Sequence, residues 1–176
     1  MNSIHFSLMQ IDYFVTIAVA QMAAAALARN IARVRQHITE FPTMAGFNRI
    51  PGNCKIVSVE EGRVRVEMDV TANQLNPVGT LHGGCTATLA DIFTTMALIA
   101  TPRGLPGVSV DLHCSYLSAA KEGETIIIDS QVIKSGRSMA FTRAEFLKKS
   151  DNSPIAVCLH TKAIVEPKKK QEEETK

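Results

Sequence analysis

Residues 83–100 read GGCTATLADIFTTMALIA, and the fold turns on this stretch. It has no strand-like alternation. Cys85, Leu89, Ile92, Phe93, Met96 and Ile99 recur at helical spacing, and the remaining faces are Ala, Thr and Leu. A helix that is apolar or small nearly all round belongs in an interior. Pro102 stops it. Such a helix needs a layer around it, so the flanking sequence must supply one.

The flanks read as strands. Residues 63–70, RVRVEMDV, alternate strictly, with Val64, Val66, Met68 and Val70 on one face. Period two with one apolar face predicts an antiparallel strand with one side in water. Cys54 to Val59 precedes it across Glu60-Glu61-Gly62, which predicts a hairpin. After the helix, four more strands are expected at residues 108–117, 124–133, 138–147 and 155–165. In the first of these, Val108, Val110, Leu112, Cys114 and Tyr116 share a face, which leaves Ser109 off it. The fold class is α+β: about six antiparallel strands wrapped around one central helix.

Composition narrows the rest. Of 176 residues, 45% are hydrophobic and 20% charged, as in an ordinary globular chain. A net charge of +2 and 5% aromatics give no basis for nucleic-acid binding. Cys54, Cys85, Cys114 and Cys158 form no CxxC pair and no zinc-type cluster with His. Buried reduced thiols are expected, with a disulfide or a metal as the alternatives.

Three regions are expected: an extension at 1–40, a domain at 41–165 and a charged, disordered tail at 166–176. The extension holds one charged side chain in its first 28 residues, Asp12, and an uncharged run from Tyr13 to Ala28. Arg29, Arg33 and Arg35 follow. A helix from about Asp12 to Thr39 is predicted. Sixteen uncharged residues fall short of the roughly 20 that cross a bilayer, which argues against membrane insertion. A targeting or dispensable segment, a helix packed on the domain and a membrane-associated segment are the open readings; mitochondrial addressing is the most economical, giving a mitochondrial or cytoplasmic location.

Chemistry concentrates on the buried helix. Asp91 is the one charged residue between Gly79 and Pro102. A carboxylate there needs a partner or a purpose, and mid-helix it cannot be a cap. The helix opens on His82-Gly83-Gly84, where unpaired N–H groups can hold an anion or an oxyanion. Gly83 and Asp91 stand eight residues apart, about 12 Å along the helix. A general base works within about 3 Å of its proton or through one water. One chain cannot bring both groups to one reacting carbonyl; two antiparallel helices in a two-fold dimer can.

The segment Asn76-Pro-Val-Gly-Thr-Leu-His-Gly-Gly-Cys-Thr-Ala-Thr-Leu-Ala-Asp91 resembles the signature of hotdog-fold acyl-CoA thioesterases. It is most similar to the subgroup holding the acyl-coenzyme A thioesterase 13 and phenylacetic-acid-degradation types. The similarity runs on through Thr95–Leu98, Arg103-Gly104, Pro106–Asp111 and His160–Lys162. The resemblance implies hydrolysis of a fatty or aryl acyl-CoA to acid and free CoA, without metal or organic cofactor. It implies a homo-oligomer, a dimer of dimers. Gly83 would donate its N–H to the thioester carbonyl. The partner's Asp91 would be base or nucleophile, with Asn76, Ser109 and His82 as helpers. CoA would lie along Tyr116, Leu117, Ser118, Ala119, Ala120 and Lys121, and along Lys134, Ser135, Gly136, Arg137, Ser138 and Met139. This chain departs from the pattern at Ala119, usually proline, and at Ala163, a histidine in the close relative. The first 30 or so residues have no counterpart in it. The competing readings are a hotdog acyl-thioester hydratase or dehydratase, and an acyl-CoA-binding protein without catalysis.

Overall fold

The computed structural model describes residues 2–166, with side chains from residue 14 onward. Most of the predicted tail therefore lies outside the described residues. Helix α1 spans Asn2–Glu40 and is followed by short 3-10 turns at Phe41–Thr43 and Gly46–Arg49. Strands β1 (Cys54–Glu60) and β2 (Arg63–Asp69) form the expected hairpin. Gly62 closes it at φ 66°, a left-handed conformation that favours glycine. A 3-10 turn at Ala72–Gln74 leads to helix α2 (Gly83–Ile99). Strands β3 (Val108–Tyr116), β4 (Thr125–Ser135), β5 (Met139–Lys148) and β6 (Pro154–Ala163) complete the chain.

The six strands form one antiparallel sheet in the order β1-β2-β4-β5-β6-β3. It wraps α2, which packs against β2, β4, β5 and β6. Val64, Val66, Met68 and Val70 all face the core, as their alternation requires. Leu89, Phe93 and Ala97 of α2 are wholly buried. A Leu or Phe so buried contributes about 1.5–3 kcal/mol through area removed from water. Phe93 meets Phe41 edge to face, with ring centroids 5.9 Å apart.

The two halves of α1 behave differently. Val34 and Ile38, with Phe41 just beyond, lie in the same core as α2. Asn30 Nδ2 donates to the Thr101 carbonyl (2.9 Å), and Arg33 donates to the Gly104 carbonyl (2.9 Å). Val15, Val19 and Met22 are exposed. The helix starts ten residues before the expected Asp12, because nothing in residues 2–12 breaks a helix.

Two expectations about β3 and the cysteines are corrected. The β3 alternation is interrupted: Ser109 pairs with Lys162 and Asp111 with Thr161, leaving Val110 as the extra residue of a β-bulge. The bulge turns Ser109 onto the inner face with Leu112, Cys114 and Tyr116, and leaves Val108 and Val110 exposed. The register also sets Cys114 directly opposite Cys158, with Cα atoms 4.1 Å apart, and the two form a disulfide. Cys54 and Cys85 are free; burial pushes their thiols up to about 12 and about 11, so both are poor nucleophiles.

Candidate active site

Four side chains converge where α2 passes the edge pair β3–β6. Asp91, from the middle of α2, has a half-exposed carboxylate. Its Oδ1 lies 3.3 Å from Lys162 Nζ, 3.3 Å from Ser109 Oγ and 3.7 Å from His160 Nε2. Lys162 is buried and also donates to Thr95 Oγ1 at 2.7 Å. Burial lowers the Lys162 ammonium from its ordinary value, while Asp91 opposes that shift. The carboxylate therefore has the partner that the sequence demanded, and it keeps an open side.

His160 is buried, and burial with the neighbouring Lys162 charge drives its pKa down to about 4. It is a neutral imidazole near pH 7. Its tautomer follows from the hydrogen bonds. Thr94 Oγ1 donates to the Ala90 carbonyl at 2.7 Å, so it accepts from His160 Nδ1–H, also at 2.7 Å. Nε2 is then an acceptor, and the Ser109 hydroxyl donates to it at 2.9 Å. With its one proton engaged, Ser109 Oγ offers lone pairs beside Asp91.

The helix start is built by its loop. His82 caps α2, its Nδ1 accepting from Gly84 N–H at 2.9 Å. The His82 N–H donates to the Gln74 carbonyl and the Leu81 N–H to the Ala120 carbonyl, each at 2.8 Å. Buried Gln74 is itself held by Thr71 N–H and the Ile50 carbonyl. Tyr116 Oη donates to the Gly83 carbonyl at 3.0 Å. Among the described residues none accepts a hydrogen bond from the Gly83 N–H. Asn76 organises its own loop: Oδ1 accepts from Val78 and Thr80 N–H, and Nδ2 donates to Thr80 Oγ1. One Nδ2 proton is left over.

An apolar cleft of about 310 Å³ adjoins this helix start, lined by Phe47, Ile50, Leu75, Cys85 and Thr88. A larger, more polar cleft of about 740 Å³ lies between Arg49 and Asp69, and neither Gly83 nor Asp91 lines it.

The two expected CoA segments sit at opposite ends of α2. Residues 116–121 bracket its start: Ser118 Oγ donates to the Pro154 carbonyl, the Lys121 N–H donates to Glu124, and Leu117 N–H reaches the Ile155 carbonyl. Ala119 is exposed beside buried Ala120, and the Lys121 backbone bridges to Thr80. Residues 134–139 lie near its end, where Arg103 donates to the Gly136 and Arg137 carbonyls. Lys134, Ser135, Arg137 and Ser138 are exposed, and the Gly136 N–H closes the turn on the Met139 carbonyl. Within one chain these segments do not meet, just as Gly83 and Asp91 do not.

His160 and Lys162 were given no role from sequence. The signal was present: period two in β6 puts them on the inner face with Ala156 and Cys158, two polar residues in an otherwise small, apolar row. Among the described residues no group of His, Cys, Asp and Glu could hold a metal ion.

The thioesterase superfamily model matches residues 78–155. The chain is 44% identical to human acyl-coenzyme A thioesterase 13 over 131 residues, 74% of this chain and 94% of the relative. Among solved structures it resembles zebrafish thioesterase superfamily member 2, with a TM-score of 0.74 and 41% identity over 77% of this chain and 98% of that one. It also resembles a Streptococcus mutans protein whose crystal structure has acetyl CoA bound, with a TM-score of 0.61 and 28% identity over 66% of this chain and 92% of that one. The chain belongs to the thioesterase superfamily, and the sheet wrapped around α2 is its hotdog fold.

Proposed function

We propose that the chain hydrolyses acyl-CoA thioesters to the free acid and CoA, in a site shared by two antiparallel α2 helices. One observation carries this reading. Gly83 has a free N–H and Asp91 an open carboxylate, yet eight helix positions, about 12 Å, separate them on the same helix. A two-fold dimer brings each beside the other's counterpart. The same operation joins residues 116–121 of one chain to residues 134–139 of its partner, where Lys121, Lys134 and Arg137 offer charge to CoA phosphates. The relatives' names and the acetyl CoA of the Streptococcus protein support this substrate class.

The steps follow from the groups. Asp91 removes one proton from a water whose other proton points to Ser109 Oγ. The water oxygen bonds to the thioester carbon, and the carbonyl electrons move to an oxyanion that accepts from the Gly83 N–H. Collapse breaks the carbon–sulfur bond, and the proton on Asp91 passes to the departing CoA sulfur. Losing a single oxyanion donor typically costs about 10²–10³ in rate. Neutral His160 acts through Ser109 by fixing where its hydroxyl proton lies, which makes it a positioning residue. Asn76 and His82 support the loop that presents Gly83. The apolar cleft beside Cys85 and Thr88 fits the first part of an acyl chain. The reading needs no metal or organic cofactor, because every proton in it has a donor and an acceptor.

The test is thiol release from a panel of acyl-CoAs of increasing chain length, with Asp91→Ala beside the wild-type chain. Release by the wild type and its loss in the variant are expected. Binding of acyl-CoA without thiol release would replace the enzyme with a carrier; hydration of an enoyl-CoA without release would make it a hydratase.

A further inference from the structure

We propose that the first half of α1 inserts end-on into a lipid bilayer and tethers the domain to it. This goes beyond hydrolysis and does not depend on it. An 18-residue window of this helix, within residues 14–43, has a mean hydropathy of 1.5, and none of it is buried. Val15, Val19 and Met22 are 56%, 60% and 72% exposed.

The distribution around the helix identifies the occupant. At 100° per residue, the exposed Val15, Val19 and Met22 fall at about 0°, 40° and 340°, and the half-buried Leu27 and Ile17 at about 120° and 200°. Alanines fill the remaining gaps, and the two polar side chains, Thr16 and Gln21, lie about 140° apart rather than forming a face. A helix lying flat on a membrane, or pairing with one partner helix, needs a one-sided apolar stripe. An apolar surface on every side needs surroundings that close around it, as hydrocarbon does.

Length and charge agree. Tyr13–Ala28 is about 24 Å of uncharged helix, within tilt, thinning and snorkelling of a hydrocarbon core about 30 Å thick. Arg29 and Arg35, both exposed, follow immediately, at the level where lipid phosphates would sit. Asp12 marks the far end of the uncharged run. Sixteen uncharged residues are few by count alone; the unbroken helix and the exposed Val15, Val19 and Met22 supply the rest. The tether is rigid, because Asn30 and Arg33 bond the same helix to residues 101–104 and Val34 and Ile38 anchor it in the core.

The test is vesicle flotation of the full chain, made in the presence of phosphatidylcholine vesicles with a fifth of phosphatidylserine. The wild-type chain is expected to float, to stay with the vesicles in about 1 M salt, where the Debye length is about 3 Å, and to resist alkaline extraction. Val15→Lys/Val19→Lys/Met22→Lys changes only exposed positions. It is expected to fall at least tenfold in the floated fraction while unfolding in urea at the wild-type midpoint. Three results would overturn the proposal: a wild-type chain that stays at the bottom of the gradient, binding that salt removes, or a discrete soluble assembly that the triple variant dissociates.

Discussion

Acid should destabilise this fold through His160, and the size of the effect follows from the structure. Burial and Lys162 hold the imidazole at about 4 against an ordinary 6.5. The unfolded chain therefore binds a proton that the folded chain refuses, throughout the window between those values. Stability contributed by this group is full above pH 6.5, falls as pH drops through the window and is flat again below about 4. At about 1.4 kcal/mol per pH unit the whole window corresponds to roughly 3 kcal/mol, of which about 2.5 is lost by pH 4.5. The side chain is fully buried, so solvent screening does not discount it. Urea unfolding at pH 7 and pH 4.5, at fixed protein concentration, measures it. His160→Gln keeps a hydrogen-bonding group and removes the titration. Carboxylates remote from His160 affect both chains alike and cancel in the difference. The wild type should lose about 2.5 kcal/mol more than the variant. Equal losses would refute the reasoning, as would an imidazole NMR titration placing His160 near 6.5.

Other outcomes follow from packing and from the site. Ile38→Ala removes a buried side chain of α1 and should cost about 2–5 kcal/mol in thermal or urea unfolding, like other core truncations; a negligible cost would detach the second half of α1 from the core. Asp91→Asn should keep the fold and lose at least about 10² in turnover, the usual yield of a general base. It should also lower the Lys162 ammonium further, because the opposing charge is gone, which lysine NMR would read. In urea without reductant, thiol titration should find two reactive cysteines, and four after reduction; four in both would remove the Cys114–Cys158 bond.

Much of the fold was legible because local periodicity and burial agreed. The β2 alternation set its inner face, and the all-round apolarity of residues 83–100 required a sheet that wraps. What escaped notice depended on contacts between strands. The Val110 bulge is a pairing irregularity, and period two counted from Val108 puts Ser109 on the wrong face. Cys114 and Cys158 are 44 residues apart, and only the β3–β6 register makes them neighbours. Period two sets His160 and Lys162 apart as polar residues on the inner face of β6, but only the packing of β6 beside β3 and under α2 brings them to Asp91. The Asp91 carboxylate departs from the buried position that the all-round apolar helix predicts: it is half-exposed, with one side open.

The proposed shared site is tested most directly by mixing two inactive chains. Gly83→Pro removes the oxyanion N–H at the first helical position, where proline is tolerated and where His82, at ψ 132°, already has the conformation that precedes proline. Asp91→Ala removes the base. In a mixed dimer one site carries both lesions and the other carries neither. Random reassociation makes half the dimers mixed, each with one intact site of two, so a two-fold dimer should recover about a quarter of wild-type thiol release. A mixture as inactive as its two parents, with mixed dimers confirmed by native mass, would place Gly83 and Asp91 of one chain in separate chemistry and contradict the shared site.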